Sequence, residues 1–426
     1  MRKDLFDKYQ TIIDRHAALP PEVDDPFSVR MDKVLSPTIA IIDGRETILC
    51  GTNNYMGMTF NEEARKAAHD AIERFGTGTT GSRVLNGTYS GHTELEQTLR
   101  DFYGTKHAIV FSTGYLANLG ILATLPGRKD FIIMDADCHA SIYDGCAQGR
   151  ATTLRFKHNN MADLERRLKS IPEDAGALIV AEGIYSMLGD VAPLKEIVEL
   201  KKKYGAMLML DEAHSMGFCG KTGRGVAQEL GLEDEVDFLV GTFSKSVGTV
   251  GGFVVSNHPK FEVLRLAARA YVFTASLPPS VVASAKSAIE TIKGADDLRE
   301  RLWANAHRLH RGLKKAGFVI PTKTLESPII AVSLHDTEQV VRFWSGLLRT
   351  GVYVNMAVPT ATPQGLYLLR CSVCASHTPE QIDTIIERFV EVAKALKLPL
   401  NEKPRGGEAE KTEGLQPQKG AAAAMA

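Results

Sequence analysis

The sequence predicts an α/β protein whose main β-sheet is largely parallel. Short apolar runs alternate with amphipathic segments such as LKEIVELKKKYG, and the runs are HAIVFS, FIIMDAD, ALIVAEG, AMLMLDEA and DFLVGTF. The chain has 426 residues, which is enough for two or three domains and a large buried core. We therefore expect strands followed by helices that cover both faces of the sheet.

Composition and charge narrow the class of protein. Residues of the AVILMFWYC set make up 44%, and Lys+Arg 50 against Asp+Glu 51 gives a net charge of −1. This balance gives no bulk attraction to nucleic acid or anionic membranes. The first ten residues, MRKDLFDKYQ, do not resemble a secretory signal, and no apolar run reaches the roughly 18–20 residues of a membrane span. We expect a cytoplasmic protein with six reduced thiols, and contact of a surface patch with a membrane stays open.

The organisation along the chain begins with a leader over residues 1–45, which is helical to about Ala18 and then continues as PPEVDDPF. A large domain follows over residues 46–285. Its first helix is predicted to begin after Asn61 and to end at Gly76, because Asn61 precedes two glutamates and apolar residues at helical spacing.

A second, smaller α+β domain is predicted over residues 286–398, after a helical stretch around Ser280–Ile292. Its elements are read from RERLWANAHRLHRGLKKAG, IIAVSLH, TEQVVRFWSGLLRTG, LYLLRCSV and EQIDTIIERFVEVAKAL. Residues 399–426 carry almost nothing large and apolar, so they predict a disordered tail.

Three motifs lack the context that would give them meaning. Gly76–Gly81 fits GxGxxG but follows a helix rather than a strand, which argues against a dinucleotide site. Gly220-Lys-Thr imitates the end of a P-loop, yet Ser215 stands where the first glycine belongs. Cys371 and Cys374 form a lone CxxC within a predicted strand, so we expect buried thiols and no metal site.

A stronger signal comes from polar residues at the carboxyl ends of predicted strands, where open α/β sheets bind ligands. Asp211 and His214 follow one strand, and Thr242, Ser244 and Lys245 follow the next. A lysine that forms a Schiff base, a carboxylate that keeps a pyridine nitrogen protonated and hydroxyls for a phosphate are what pyridoxal 5′-phosphate (PLP) requires.

Two further segments extend this set. FSTGY precedes a helical segment, so Gly114 and Tyr115 would offer backbone N–H groups to a phosphate. His139 in DADCHAS also follows a strand, and its flat imidazole could stack on the cofactor ring.

With these residues the chain resembles the α-oxoamine synthases, PLP enzymes of the aminotransferase-like fold type I. The resemblance spans about Asp25 to Leu398 and rests on NNYMGMTF, GSRVLNGTYSGHTELE, FSTGYLANLG, DADCHASIYDG, EGIYSMLGDVAPL, DEAHSMG, GTFSKSVGTVGGF, FTASLPP and PTATPQGLYLLRCSVCASHT. The GTFSKSVGT stretch and the proline-rich loop before LLRCSVCA are most similar to the serine-using branch. The resemblance implies condensation of L-serine with a long-chain acyl-CoA such as palmitoyl-CoA, with loss of CO₂, to give 3-ketodihydrosphingosine.

The resemblance also implies roles for single residues. Lys245 would bind the cofactor covalently, Asp211 would pair with the ring nitrogen, His214 would bind the ring oxygen, and His139 would stack on the ring. The phosphate would be held by Gly114, Tyr115, Thr242 and Ser244. Thr274 would reach the phosphate of a neighbouring subunit, which implies a homodimer with a shared active site. Asn54 and Arg370 would contact substrate, with the Arg370 guanidinium gripping the carboxylate.

Two departures from the family and several alternatives remain at this stage. Val358 stands where related enzymes can place an arginine, and Asn53 stands where close relatives can carry tyrosine. A branch that joins glycine or alanine to another acyl thioester is the first alternative, and an acyl carrier protein could replace CoA. A catalytically silent subunit is the second, although an intact Lys245, Asp211 and His214 set argues against it. A nucleotide-binding protein is the third.

Overall fold

The computed structural model describes residues 4–401 except 323, 360, 361, 363 and 364, so most of the predicted tail lies outside the described residues. No helix in the described part of the chain is both long and apolar enough to span a bilayer. The strands are β1 (Met31–Ser36), β2 (Ile39–Ile42), β3 (Arg45–Leu49), β4 (His107–Phe111), β5 (Phe131–Asp135), β6 (Thr152–Phe156), β7 (Ala177–Glu182), β8 (Met207–Asp211), β9 (Phe238–Thr242), β10 (Gly252–Ser256), β11 (Ile329–Leu334), β12 (Val352–Tyr353), β13 (Asn355–Ala357) and β14 (Tyr367–Ser372).

Helices connect and cover these strands. They are α1 (Gln10–Ala17), α2 (Glu62–Phe75), α3 (Ser90–Tyr103), α4 (Gly114–Leu122), α5 (Ala140–Gln148), α6 (Met161–Leu168), α7 (Leu194–Tyr204), α8 (Val226–Glu229), α9 (Leu264–Ala267), α10 (Arg269–Val272), α11 (Pro279–Lys293), α12 (Asp296–Lys315), α13 (Thr337–Arg349) and α14 (Pro379–Ala395).

The central sheet has seven strands in the order β4-β10-β9-β8-β7-β5-β6. Neighbouring strands from β9 to β6 run parallel, whereas β10 is antiparallel to both β4 and β9. Strands β4, β5, β7, β8 and β9 are almost entirely buried, which explains their uninterrupted apolar sequences. The prediction of an α/β fold with a mostly parallel sheet is confirmed.

The helix predicted after Asn61 is α2, and its start follows from a side-chain cap. The Asn61 side chain accepts a hydrogen bond of 2.9 Å from the Ala64 N–H, which satisfies one of the free donors of the first turn. Gly76 ends the helix at a φ of 76°, a conformation that glycine adopts without strain. The GxGxxG run therefore follows a helix, as the sequence indicates.

Two smaller sheets bring distant parts of the chain together. One has the order β11-β14-β13, and the other has the order β1-β2-β3-β12, with β1 and β2 inside the range assigned to the leader. Strand β12 pairs parallel with β3, and the Ser372 N–H donates a bond of 2.7 Å to the Cys50 carbonyl. Residues 50–54 are thereby held beside the end of β14.

All six cysteines are free and buried. Cys371 lies in β14, but Cys374 lies beyond it, so the expectation that one strand holds both thiols is wrong. The strand ends at Ser372, and the chain then turns so that the Ala375 N–H donates to the Tyr55 carbonyl. Burial raises the pKa of the Cys374 thiol to about 11, as expected for an inert thiol.

Candidate active site

An acid and a lysine lie at the carboxyl ends of the neighbouring strands β8 and β9. Asp211 is the last residue of β8, and Lys245 follows three residues after the end of β9. Burial lowers the pKa of Lys245 to about 8, against the opposing charges of Asp211 and Glu182. About a tenth of this amine is therefore unprotonated at pH 7, far more than for an ordinary lysine, and the unprotonated amine is the nucleophilic form.

Asp211 is fixed by two donors. Its Oδ1 accepts a bond of 2.9 Å from the Ala213 N–H, and its Oδ2 accepts a bond of 2.8 Å from Asn118 Nδ2 in α4. A carboxylate offers about four acceptor positions, so two of them stay available for a ligand. The carboxylate is thus oriented before any ligand arrives.

Asn118 also connects Asp211 to His139. Its Nδ2 donates to Ser141 Oγ at 2.9 Å, and Ser141 Oγ lies 2.8 Å from His139 Nδ1. His139 Nδ1 also accepts from the Ser141 N–H at 3.2 Å, so the ring proton belongs on Nε2. Burial, and then the charge of Lys245, lower the pKa of His139, so its imidazole is neutral at pH 7.

His214 is linked to the predicted carboxylate site through Tyr55. The Tyr55 hydroxyl lies 2.9 Å from His214 Nδ1 and accepts a bond of 3.3 Å from Arg370 Nη2. The hydroxyl has one hydrogen, and His214 is closer than Asn53 Oδ1 at 3.3 Å, which assigns that hydrogen to His214. Burial, and then the charge of Lys245, hold the pKa of His214 well below its usual value. His214 is therefore neutral, with its proton on Nε2.

Arg370 lies buried in β14 and donates to four protein groups. Nε donates to the Ser186 carbonyl at 2.5 Å, and Nη1 donates to Asn53 Oδ1 at 3.1 Å and to Ser372 Oγ at 2.6 Å. The fourth partner is the Tyr55 hydroxyl. The sequence predicted an arginine available for a carboxylate, and the structure shows one that is already held by its surroundings.

The predicted phosphate residues lie at the start of α4 and the end of β9. A Cβ added to Gly114 would lie 2.9 Å from Thr242 Cβ, so only glycine allows the helix start to approach β9 this closely. Thr242 Oγ1 donates to the Gly251 carbonyl at 2.9 Å and lies 2.8 Å from Ser244 Oγ. Hydroxyls and the free N–H groups of a helix start therefore converge where an anion is favoured.

The structure places the remaining predicted residues less centrally. Tyr115 begins α4 beside Gly114, but its hydroxyl donates to Asp144, a bond that raises its pKa to about 12. Asn54 Nδ2 donates to Thr59 Oγ1 at 2.7 Å, while its buried Oδ1 has no partner among the described residues. Thr274 lies in the loop after α10, with no hydrogen bond to the residues of β8 and β9 within the described chain.

Glu182, Asn118 and Tyr55 are further residues of the site that the sequence motifs did not indicate. Glu182 ends β7 directly beside Asp211 in the parallel register, and its carboxylate accepts the His139 N–H. Burial, and then the neighbouring charge of Asp211, raise the pKa of Glu182 well above its usual value, which favours the neutral acid. The rule that found Asp211 also applies to Glu182, since both residues end buried parallel strands.

A cluster at the end of β5 has the composition of a metal site but is better explained as internal ion pairs. Asp135, Asp137 and His158 lie close enough to share an ion. His158 Nδ1, however, bonds to Asp135 at 2.9 Å, and Nε2 bonds to Asp190 at 2.6 Å. Hydrogen bonds to these two acids raise the pKa of His158 to about 10 despite its burial, so both ring nitrogens carry protons.

The residues at β8 and β9 fit PLP. The two free acceptor positions of Asp211 suit a protonated ring nitrogen, and His214 Nε2 offers a donor for the ring oxygen. The absence of a side chain at Gly114 brings the backbone of the α4 start close to Thr242, and backbone N–H groups together with a hydroxyl suit a phosphate.

Comparisons with known proteins agree with this geometry. The family model for aminotransferase class I and II matches residues 45–389. A serine palmitoyltransferase of Sphingomonas paucimobilis is 58% identical over 395 residues, covering 92% of this chain and 94% of the relative. One from Caulobacter vibrioides is 53% identical over 393 residues, covering 92% of this chain and 97% of the relative.

A solved structure of serine palmitoyltransferase with PLP as an internal aldimine superposes with a TM-score of 0.92 at 57% identity. The superposition covers 93% of this chain and all of that one. The shared fold, the matched family model and the high identity over nearly the whole length lead to one conclusion: the chain belongs to the class I and II aminotransferase family, among the α-oxoamine synthases.

Proposed function

We propose that this chain is a PLP-dependent serine palmitoyltransferase. It condenses L-serine with palmitoyl-CoA and releases CO₂ and CoA, which gives 3-ketodihydrosphingosine, the first intermediate of sphingolipid biosynthesis. The observation that carries the proposal is the joint presence of Lys245, Asp211 and His214 at the carboxyl ends of neighbouring strands. Relatives named for this activity, at 58% and 53% identity, support the same conclusion.

The bound PLP ring supplies an electron sink for negative charge that develops at the substrate α-carbon. Asp211, whose carboxylate is oriented by Asn118 and the Ala213 N–H, would stabilise a protonated ring nitrogen of the cofactor. His214 would donate from Nε2 to the cofactor's ring oxygen, because Tyr55 bonds to the Nδ1 of the imidazole and fixes this tautomer.

Lys245 moves the substrate proton. Because burial lowers its pKa to about 8, its amine can take the α-proton of serine near neutral pH and return a proton later. Burial lowers the pKa of Lys245, and the negative charges of Asp211 and Glu182 partly offset this decrease. The amine is thus balanced between the two states that a general acid–base needs.

His139 is a neutral hydrogen-bond donor near Asp211, to which Ser141 and Asn118 connect it. Its Nδ1 is occupied by Ser141, so Nε2–H faces away from the α5 cap. We assign to it the orientation of the acyl carbonyl and contact with the cofactor ring. Arg370 holds the serine carboxylate, and Asn54 offers its unpaired Oδ1 to the substrate.

We also propose that the active unit is a homodimer with a shared site. Several large apolar side chains lie exposed around the loop of Thr274: Leu85 is 81% exposed, Leu266 78% and Phe273 72%. Side chains of this size are covered in most stable proteins, and a second copy of the chain would cover them. Thr274 would then reach the phosphate of the neighbouring site. A reducing compartment, the cytoplasm, suits the six free cysteines.

The deciding experiment is mass spectrometry of the product made by purified protein from palmitoyl-CoA and L-serine. We expect 3-ketodihydrosphingosine, with glycine and L-alanine as parallel substrates. Product from glycine or alanine but not from serine would assign the chain to another α-oxoamine synthase branch. The absence of product from all three would overturn the proposed activity.

The shared site has its own test. Lys245→Ala and Thr274→Ala proteins are mixed after mild unfolding and refolding, so that mixed dimers form. In a mixed dimer, both substitutions fall on one site and the other site is intact, so activity returns. No recovery from mixed dimers would contradict the shared site.

A further inference from the structure

The guanidinium of Arg370 has little capacity left for a substrate carboxylate. Nε and both hydrogens of Nη1 are used by Ser186, Asn53 and Ser372, and one hydrogen of Nη2 is used by Tyr55. An arginine has five N–H donors, so one remains, on Nη2. A bidentate grip on a carboxylate needs two.

The side chain of Asn53 lies beside the same guanidinium, at Nη1. Its Oδ1 lies 3.1 Å from Arg370 Nη1 and 3.3 Å from the Tyr55 hydroxyl. Because arginine can only donate, the oxygen of the amide must face Arg370, which fixes the orientation of the side chain. Nδ2 then lies on the other branch of the amide.

The Asn53 amide nitrogen is available. Among the described residues it has no hydrogen-bond partner, and Asn53 is only half-buried, so Nδ2 is not enclosed. Val358, near the start of the loop before β14, is half-buried among apolar neighbours and brings no charge. Asn53 is therefore a described polar side chain that contacts the Arg370 guanidinium and still has an unused donor.

We propose that Asn53 Nδ2 donates a hydrogen bond to the carboxylate of the amino-acid substrate, alongside the free Nη2–H of Arg370. The pair forms a two-point contact built from one amide and one guanidinium. Asn53 thereby determines how strongly this chain prefers a substrate with a carboxylate. The inference rests on the proposed function, because it takes L-serine as the substrate.

The test measures binding rather than turnover. Titration calorimetry of the holoenzyme compares L-serine with ethanolamine, which has the same amine and hydroxyl but no carboxylate. We expect Asn53→Ala to lower the ratio of serine affinity to ethanolamine affinity on the order of tenfold, the loss of one hydrogen bond to a charged group. Ethanolamine binding should stay close to that of the unaltered protein. An unchanged ratio would overturn the proposal.

A second variant covers a failure of Asn53→Ala to fold, which would appear as loss of binding of both ligands. Asn53→Asp keeps an oxygen for Arg370 and Tyr55 but replaces the donor by a charged acceptor. It should bind ethanolamine and lose serine by more than Asn53→Ala does. Serine binding equal to that of the unaltered protein would refute the contact.

Asn53 could affect serine binding by contacting the carboxylate or by positioning Arg370. Repeating Asn53→Ala in an Arg370→Ala background distinguishes the two. If Asn53 touches the carboxylate, its effect on the ratio persists there. If it only positions Arg370, the effect disappears and the proposal is wrong. This binding test is independent of the product assay. If the protein prefers serine to ethanolamine but makes no 3-ketodihydrosphingosine, the proposed function is wrong and the Asn53 contact still holds.

Discussion

Asn118 Nδ2 lies 2.8 Å from Asp211 Oδ2, although Asn118 sits within one of the most apolar helices of the chain, GYLANLGIL. The same nitrogen donates to Ser141 Oγ, which bonds to His139. One amide thereby orients both the acid and the imidazole that are proposed to hold the cofactor. Burial of an amide costs free energy unless its hydrogen bonds are made. Because this amide bonds to both Asp211 and Ser141, its removal takes a hydrogen-bond partner from two buried groups.

We expect Asn118→Ala to weaken PLP retention by about tenfold, since Asp211 loses one of its two orienting donors. Asn118→Asp should weaken it further, because two buried carboxylates 2.8 Å apart cannot both be ionised. The measurement is the cofactor content after dialysis, followed by absorbance. Retention equal in all three proteins would show that Asp211 does not depend on Asn118.

Lys245→Ala should abolish both covalent cofactor attachment and turnover. Borohydride reduction of the unaltered protein should add the mass of the reduced cofactor to the peptide that contains Lys245, and the variant should show no such peptide. Lys245→Arg is the control for charge, because it keeps a cation but cannot form the bond. Turnover by Lys245→Ala at a rate near that of the unaltered protein would end this assignment.

Arg370→Ala should weaken serine binding far more than PLP binding. Removal of a buried, hydrogen-bonded charge opposite a substrate carboxylate costs on the order of 2–5 kcal/mol, which is roughly 30-fold to several thousand-fold in affinity. Arg370→Lys should recover only part, because an ammonium cannot serve Ser186, Asn53 and Tyr55 together. Calorimetric titration with serine checks the order, and unchanged affinity in Arg370→Ala would place the carboxylate elsewhere.

The buried Glu212 should make stability depend on pH. Its carboxylate accepts the N–H groups of Val226 at 3.0 Å and Ala227 at 2.9 Å, and burial raises its pKa to about 7. The folded protein then binds a proton that the unfolded chain releases near pH 4.5, so this group costs stability as pH rises from about 4.5 to 7.

Glu212→Gln removes this titration. The free energy of unfolding of the unaltered protein, minus that of Glu212→Gln, should fall by up to about 3 kcal/mol between pH 4.5 and 7 and stay level above pH 7. Urea unfolding at several pH values measures this difference. A difference that is constant across the range would show that Glu212 is charged throughout.

The sequence analysis identified the ends of β8 and β9 because buried parallel strands are short, continuous and apolar, and their carboxyl ends face one ligand site. Glu182 follows the same rule at the end of β7. Asn118 could not be found in this way, since an isolated polar residue in an apolar helix gives no sign of its partner.

The direction of β10 was likewise beyond the sequence. GGFVVS is a buried apolar run, and such a run reads the same in either orientation. The hydrogen bonds of Arg370 depend on Asn53, Ser186 and Tyr55, which are far from it in the sequence and lie beside it in the folded chain. Sequence spacing contains no information about such contacts.

The pairing of β12 with β3 also joins segments that the ribosome synthesises at very different times. Asn53 leaves the ribosomal tunnel long before Arg370, which follows it by 317 positions in the sequence. At about 5 to 20 residues per second, roughly 15 to 65 s of synthesis separate the two. The segment after β3 is without its final neighbour for that time. A nascent chain interrupted before β14 can therefore contain every strand of the central sheet and still lack Arg370, the residue that we propose holds the amino-acid carboxylate.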